Sequence, residues 1–284
     1  MAISKGFILF IFIFLIFLIF GGFFIFRENL KKDCVDGTLN LECSNEKPFF
    51  CQEGFLISSP ERCGCFENFS VVGGECFSEL MDESKIVEFP YYLNGEKKIL
   101  EYPVYPGVVD YLSKLEYSIE SGLGNYSRKD FEESRINEEV QRQFIIPLAV
   151  KIFNLGKNSN ERLEIARTLI QLIPYKESEK KIDFYGIKAP YTRYPYEVLY
   201  ENKGICGEKS QLLYMLLDFL GEDVVLFYFS EENHEGVGIE CFFGRFKETK
   251  YCYIETTSLF DVGVDPSNVL NSNNGFRNFE MIKI

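Results

Sequence analysis

A thiol and an imidazole are the side chains in this sequence best placed for covalent chemistry. Cys206 heads the run CGEKSQLLYMLLDFLG. Leu212, Leu213, Leu216, Leu217 and Leu220 recur there at helical spacing, and Gly221 is a natural C-cap, so Cys206 is expected in the first turn of a helix. The unpaired N–H groups and dipole at a helix start favour an anion, which lowers a thiol's pKa and makes it more nucleophilic. Gly204 and Gly207 flank the thiol with nothing bulky. Position alone also fits a small buried hydrophobe, the commonest fate of an unpaired cysteine. The one histidine of the chain, His234, shifts that balance. A catalytic thiol needs a base to take its proton and an acid to return it to a leaving group, and imidazole serves both near neutral pH.

Strand parity supplies a third partner. In HEGVGIEC, His234, Gly236, Gly238 and Glu240 share one face, with Val237, Ile239 and Cys241 on the other. The small glycines are expected to leave room beside His234 for a substrate. In the next strand, YCYIETT, Tyr251, Tyr253 and Glu255 share a face opposite Cys252 and Ile254. Glu255 can then orient His234 through a carboxylate–imidazole hydrogen bond. A surface histidine beside a solvated carboxylate is the plainer alternative. A lone histidine excludes a multi-His zinc or di-iron centre.

The run YPYEVLYENKGICGEKSQLLYMLLDFLG, then HEGVGIEC, then YIETT resembles archaeal members of the transglutaminase-like superfamily. LIQLIPY at 169–175 also looks like the segment preceding that core, so the resemblance covers about residues 130–265. It implies a papain-like α+β fold, in which a Cys-bearing helix packs on an antiparallel sheet. It implies Cys206 as nucleophile, His234 as general base and acid, and Glu255 as orienting acid, a position more often Asp in the wider superfamily. The chemistry implied is acyl transfer at an amide of a protein or peptide through a thioester, resolved by water or an amine, with no cofactor or metal. The backbone N–H of Cys206 would donate to the oxyanion, with Gln171 or Tyr200 as weak side-chain candidates. The chain has no Trp, so the tryptophan beside the site of many animal transglutaminases has no counterpart. A non-catalytic surface or adaptor protein using the same fold is the rival reading.

The elements that position these residues follow from the rest of the chain. Residues 6–26 hold nine Phe, six Ile, three Leu and three Gly without a charge. A helix of that length spans roughly 30 Å, so an uncleaved membrane anchor is expected within 1–32, with no A-x-A-like cleavage site after Phe26. Arg27, Lys31 and Lys32 after the span argue for a cytoplasmic body. Against that, Cys34, Cys43, Cys51, Cys63, Cys65 and Cys76 crowd into 33–79, a module poor in aliphatic residues. Three disulfides are expected there, and hence an extracytoplasmic body. A zinc site would favour paired C-x2–4-C units, and only Cys63 and Cys65 lie close. An archaeal surface-protein module is a looser resemblance.

Residues 80–284 read as the transglutaminase-like domain, with a helical lead-in at 106–175 and the catalytic core at 195–260. A hairpin is expected at 86–92 and 97–104 around Asn94-Gly95. Helices follow at 106–120 and 129–144, at a new helix with Pro147 in its first turn, at 161–173, and from Pro195. Residues 174–194 read as a surface connection, and 224–229, 234–241 and 251–257 as strands. Cys241 and Cys252 are expected as buried thiols on the back of adjacent strands. The net charge of −13 excludes a phosphate-backbone footprint and so a nucleic-acid partner. Nine cysteines leave at least one thiol unpaired in a monomer.

Overall fold

The computed structural model describes residues 33–115, 127–184, 187–269, 276 and 278–284. The apolar stretch 6–26 lies outside them; among the described residues no helix is long and apolar enough to cross a membrane. The chain divides into two compact units. In the first, strands β1 (Phe49–Gln52) and β2 (Phe55–Ser58) pair and lead into helix α1 (Pro60–Cys63); β3 (Ser70–Val72) and β4 (Glu75–Phe77) follow. Phe49, Phe50 and Leu56 are its few large buried apolar residues. Covalent bonds replace the missing core: Cys34–Cys51, Cys43–Cys63 and Cys65–Cys76, with Cα atoms 5.8, 5.4 and 5.6 Å apart.

The second unit opens with the hairpin of β5 (Lys85–Leu93) and β6 (Glu96–Val104), turned at Asn94 and Gly95 with φ of 54° and 78°. Two positive φ values in succession are the turn that matches strand twist. Helix α2 is Pro106–Leu112; the rest of the helix expected to 120 runs into residues outside those described. The helix expected over 129–144 is two, α3 (Arg128–Ile136) and α4 (Glu139–Leu155). Glu138 divides them, its carboxylate accepting the N–H groups of Val140 and Gln141 at 3.1 and 2.7 Å. Pro147 lies inside α4 rather than opening a new helix. The buried face of Phe144, Ile145, Leu148, Ala149 and Ile152 holds that helix together across the missing N–H.

Helix α5 (Ser159–Leu172) is capped by Asn158, whose Oδ1 accepts the Glu161 N–H at 3.0 Å. The segment expected as a plain connection carries a hairpin, β7 (Lys181–Phe184) and β8 (Ile187–Pro190), and then buried Tyr191 and Arg193. Helix α6 (Pro195–Glu201) leads to α7 (Cys206–Phe219), followed by β9 (Val224–Phe229), β10 (His234–Glu240), β11 (Tyr251–Ile254), α8 (Pro266–Val269) and β12 (Glu280–Ile282). One antiparallel sheet results, ordered β11-β10-β9-β12. Helix α7 packs on β9 and β10 and against α3, α4, α5 and α6. Leu212, Leu213, Leu216 and Leu217 are fully buried along it. Val225, Phe227, Phe229, Phe246, Tyr251, Tyr253 and Phe276 form a further core cluster about the sheet. The architecture is mixed α and β with antiparallel sheets.

Cys241 and Cys252 are joined in a disulfide, a correction to the expectation of two thiols. Neighbouring antiparallel strands bring their Cα atoms to 5.7 Å, inside the range a disulfide spans. Cys206 is the free cysteine among the described residues.

Candidate active site

Helix α7 starts where it does because its first turn is bound to two distant segments. Glu208 accepts the Ile205 N–H at 2.9 Å and the Arg193 N–H at 2.7 Å, which satisfies a donor at the helix start. The Arg193 guanidinium, almost wholly buried, donates to Glu208 at 3.1 Å and to Glu201 at 2.8 Å. It also donates to the carbonyls of Lys176 and Glu177 at 3.0 and 3.3 Å. One turn into the helix, buried Lys209 donates to the Ile173 and Gln171 carbonyls at 2.7 and 3.4 Å, closing the end of α5. Ser210 Oγ donates to the Glu235 carbonyl at 3.2 Å, and Thr256 Oγ1 to the Cys206 carbonyl at 3.4 Å. These bonds fix the thiol-bearing turn against the ends of β10 and β11.

His234 opens β10, where its register partner is Phe229. Its Nε2 lies 3.0 Å from Glu255 Oε2 and 3.0 Å from the Tyr253 hydroxyl, which itself donates to Glu255 Oε2 at 3.0 Å. The Cys206 thiol faces the Asn233 carbonyl at 4.0 Å, and it and the imidazole shift each other's protonation toward the charged forms. Phe229 stacks on the imidazole at 6.3 Å between ring centres, and Phe276 meets it edge-on at 5.6 Å. The other oxygen of Glu255 accepts the N–H groups of Thr256 and Thr257 at 3.0 and 2.8 Å and the Thr257 hydroxyl at 2.5 Å. Those amides turn toward the carboxylate instead of a neighbouring strand, so β11 ends at Ile254, short of the expected 257.

The electrostatics favour a thiolate–imidazolium pair. Burial pushes the Cys206 thiol up, but the imidazole and the backbone N–H groups of Glu235 and Gly207 outweigh it and hold the thiol below its ordinary value. Burial disfavours charge on His234, yet Cys206 and Glu255 raise it from 6.5 to about 9. Burial likewise works against charge on Glu255, but His234 and Thr257 hold it down at about 2. Lys209 is lowered by burial to about 8, against the pull of Glu255 and Cys206. A cavity of about 230 Å³ opens over the thiol, lined by Cys206, His234, Asn233, Tyr175 and Glu235 among others.

Not every sequence expectation places a residue here. Gln171 spends both amide hydrogens on the carbonyls of Glu255 and Phe260, at 2.8 and 2.9 Å. It is a clamp on the strand end and has no donor left for an oxyanion. The Tyr200 ring is covered by the Lys85 ammonium at 3.7 Å and does not line the cavity. Gly236 and Gly238 do not open a cleft. A Cβ on Gly236 would fall 2.4 Å from the Tyr253 hydroxyl, and one on Gly238 2.5 Å from Phe227. The glycines admit the aromatic side chains that support His234, and the cavity opens on the helix side, over Gly207. Tyr253 joins the site on the Glu255 face, where parity puts it; Thr257, Lys209 and the Arg193–Glu208 pair join it without a local sequence signal of their own. Among the described residues no group of three or more His, Cys, Asp and Glu is arranged to hold a metal.

No family model and no curated protein matches the chain. Two solved structures are similar in part. Legionella pneumophila LapG is 13% identical with a TM-score of 0.28, over 44% of this chain and 70% of its own. A candidate protease from Parabacteroides distasonis is 15% identical with a TM-score of 0.33, over 63% of this chain and 37% of its own. Likeness at this level carries no argument about chemistry, which rests on the geometry above.

Proposed function

We propose that the chain is a thiol enzyme of the transglutaminase-like type that acts on amide bonds of a protein or peptide. Membrane attachment through residues 6–26 and an extracytoplasmic body belong to the same proposal, supported by the apolar run and by four disulfides. The observation that carries the reading is the Cys206 thiol at the head of a buried helix, held below its ordinary pKa by a His234 imidazole whose Nε2 lies 3.0 Å from Glu255. The Cys206 sulfur attacks the amide carbonyl carbon, and the carbonyl electrons move to oxygen. The backbone N–H of Cys206, at the helix start, is the donor assigned to that oxyanion. Imidazolium Nδ1–H gives its proton to the departing amine nitrogen as the C–N bond breaks, leaving a thioester and neutral His234. Neutral His234 then takes a proton from water, or from an amine, as it attacks the thioester. The sulfur leaves as thiolate, which restores the ion pair.

The test is alkylation of Cys206 by iodoacetamide in the full chain at pH 6, followed by mass spectrometry. Labelling faster than that of free cysteine, and sharply slower in His234→Ala, is the expected result. Slow labelling indifferent to His234 sinks the reading and leaves a binding protein.

A further inference from the structure

The loop between β10 and β11 carries an apolar surface that the chemistry at Cys206 does not use. Its first half reads Cys241, Phe242, Phe243, Gly244, Arg245, Phe246. Phe242 and Phe243 are 88% and 92% exposed. Phe246, three residues on, is buried in the aromatic cluster about the sheet, its ring 5.3 Å from that of Phe227. The pair is not exposed for want of an anchor. The Cys241–Cys252 disulfide closes the loop, the Cys241 N–H donates to the Lys250 carbonyl at 3.1 Å, and the Phe246 N–H donates to the Tyr251 carbonyl at 2.7 Å. Arg245 Nε donates to the Cys241 carbonyl at 2.9 Å across the base of the loop. Gly244, at a φ of 78°, turns the chain between the exposed pair and this anchored return. Single exposed apolar residues are ordinary, but two adjacent phenylalanines held out on a cross-linked frame form a contact surface.

Covering the two rings removes roughly 150–250 Å² each from water. The rest of the chain indicates what covers them. The apolar run 6–26 is the basis for the membrane attachment proposed above, and a tether turns a weak second contact with the same bilayer into an intramolecular one. Phenylalanines at a loop tip suit the boundary between headgroups and acyl chains. The charge in the loop does not oppose a headgroup layer, although the whole chain stands at −13: Arg245 and Lys247 face the single acid Glu248, and Lys250 is matched by Asp223 and Glu240.

Resting on that attachment, we propose that Phe242 and Phe243 dock into the lipid interface, as a second point of membrane contact besides residues 6–26. The loop lies at the end of the β10–β11 ladder away from His234 and Glu255, the seven residues of β10 or about 20 Å from the imidazole. Docking by this end leaves the cavity over Cys206 clear of the bilayer and open to a protein or peptide.

The chain contains no Trp, so Phe243→Trp adds a single indole at the loop tip. The full-length variant is reconstituted into phosphatidylcholine–phosphatidylglycerol vesicles, floated on a density gradient, and compared with the same protein in vesicles whose acyl chains carry bromine. Docking predicts emission shifted to the blue and reduced about twofold or more by the brominated lipid, with little quenching by iodide in the water. Adding Phe242→Ser removes half of the apolar contact and weakens the bromine effect. Phe242→Trp gives the same readout if the first variant does not fold. An indole quenched by iodide and untouched by bromine overturns the docking. So does one shielded from both, the result expected for contact with a second copy. Either result in a chain that floats with the vesicles leaves membrane attachment standing, whereas a chain that does not float overturns attachment and docking together.

Discussion

Glu255→Gln keeps an acceptor beside His234 and removes a charge, so it measures what the carboxylate contributes to the imidazolium. The rise of His234 from 6.5 to about 9 corresponds to about 3 kcal/mol of preference for the charged ring, achieved against burial. Two partners supply it, Cys206 and the Glu255 oxygen at 3.0 Å. A hydrogen bond to a charged group contributes about 1.5–3 kcal/mol, or roughly 1–2 pKa units. The variant should therefore titrate between about 7 and 8. The chain contains one histidine, so selective ¹³C-histidine labelling gives one imidazole resonance, provided the purification tag adds none. Its shift against pH is the assay. The sign for stability follows. The folded value lies above the unfolded one, so the contribution is fully present below pH 6.5 and is lost as the pH rises through about 9. Wild-type protein should lose thermal stability over that window, and the variant should lose less. A wild-type midpoint near 6.5, or one unmoved in Glu255→Gln, would refute the ion-pair reasoning.

Replacing both Cys241 and Cys252 with Ser opens a loop of sequence separation 11. The loop-entropy relation gives a loss of about 3 kcal/mol, read from the urea midpoint under non-reducing conditions, and a change under about 0.5 kcal/mol would show that the bond does not constrain the unfolded chain. Gly236→Ala drives a methyl group into the Tyr253 hydroxyl and ring. It should cost about 1–3 kcal/mol and slow Cys206 alkylation by shifting the residue that supports His234. Unchanged stability and labelling would show that the ring moves freely.

The helix start, the two strands and the meeting of His234 with Glu255 are legible because each depends on local pattern. Leucine spacing ended by Gly221 defined the frame of α7, and alternation put His234 and Glu255 on matching faces. Parity names a face but not what fills it: Tyr253 and Phe227, rather than open cleft, occupy the space beside Gly236 and Gly238. Arg193 was hidden in a Tyr-, Lys- and Pro-rich stretch that reads as surface. It is buried because Glu201 and Glu208, residues of α6 and α7, close on it. No periodicity announces a buried ion pair assembled from three segments. The division at Glu138 and the continuity through Pro147 were missed for a related reason, since side-chain capping and tertiary burial decided both.

The Cys241–Cys252 bond has a meaning for the strand pair as a whole. The ladder runs from Val237↔Ile254 to Glu240↔Tyr251, with His234 and Glu255 just past one end and the disulfide at the other. A slip of one residue would exchange the two faces of β11 and carry Glu255 away from the imidazole. A covalent pin at the far end forbids that slip. It acts as a gauge block for the carboxylate, fixing by chain length what the hydrogen bonds then hold by direction.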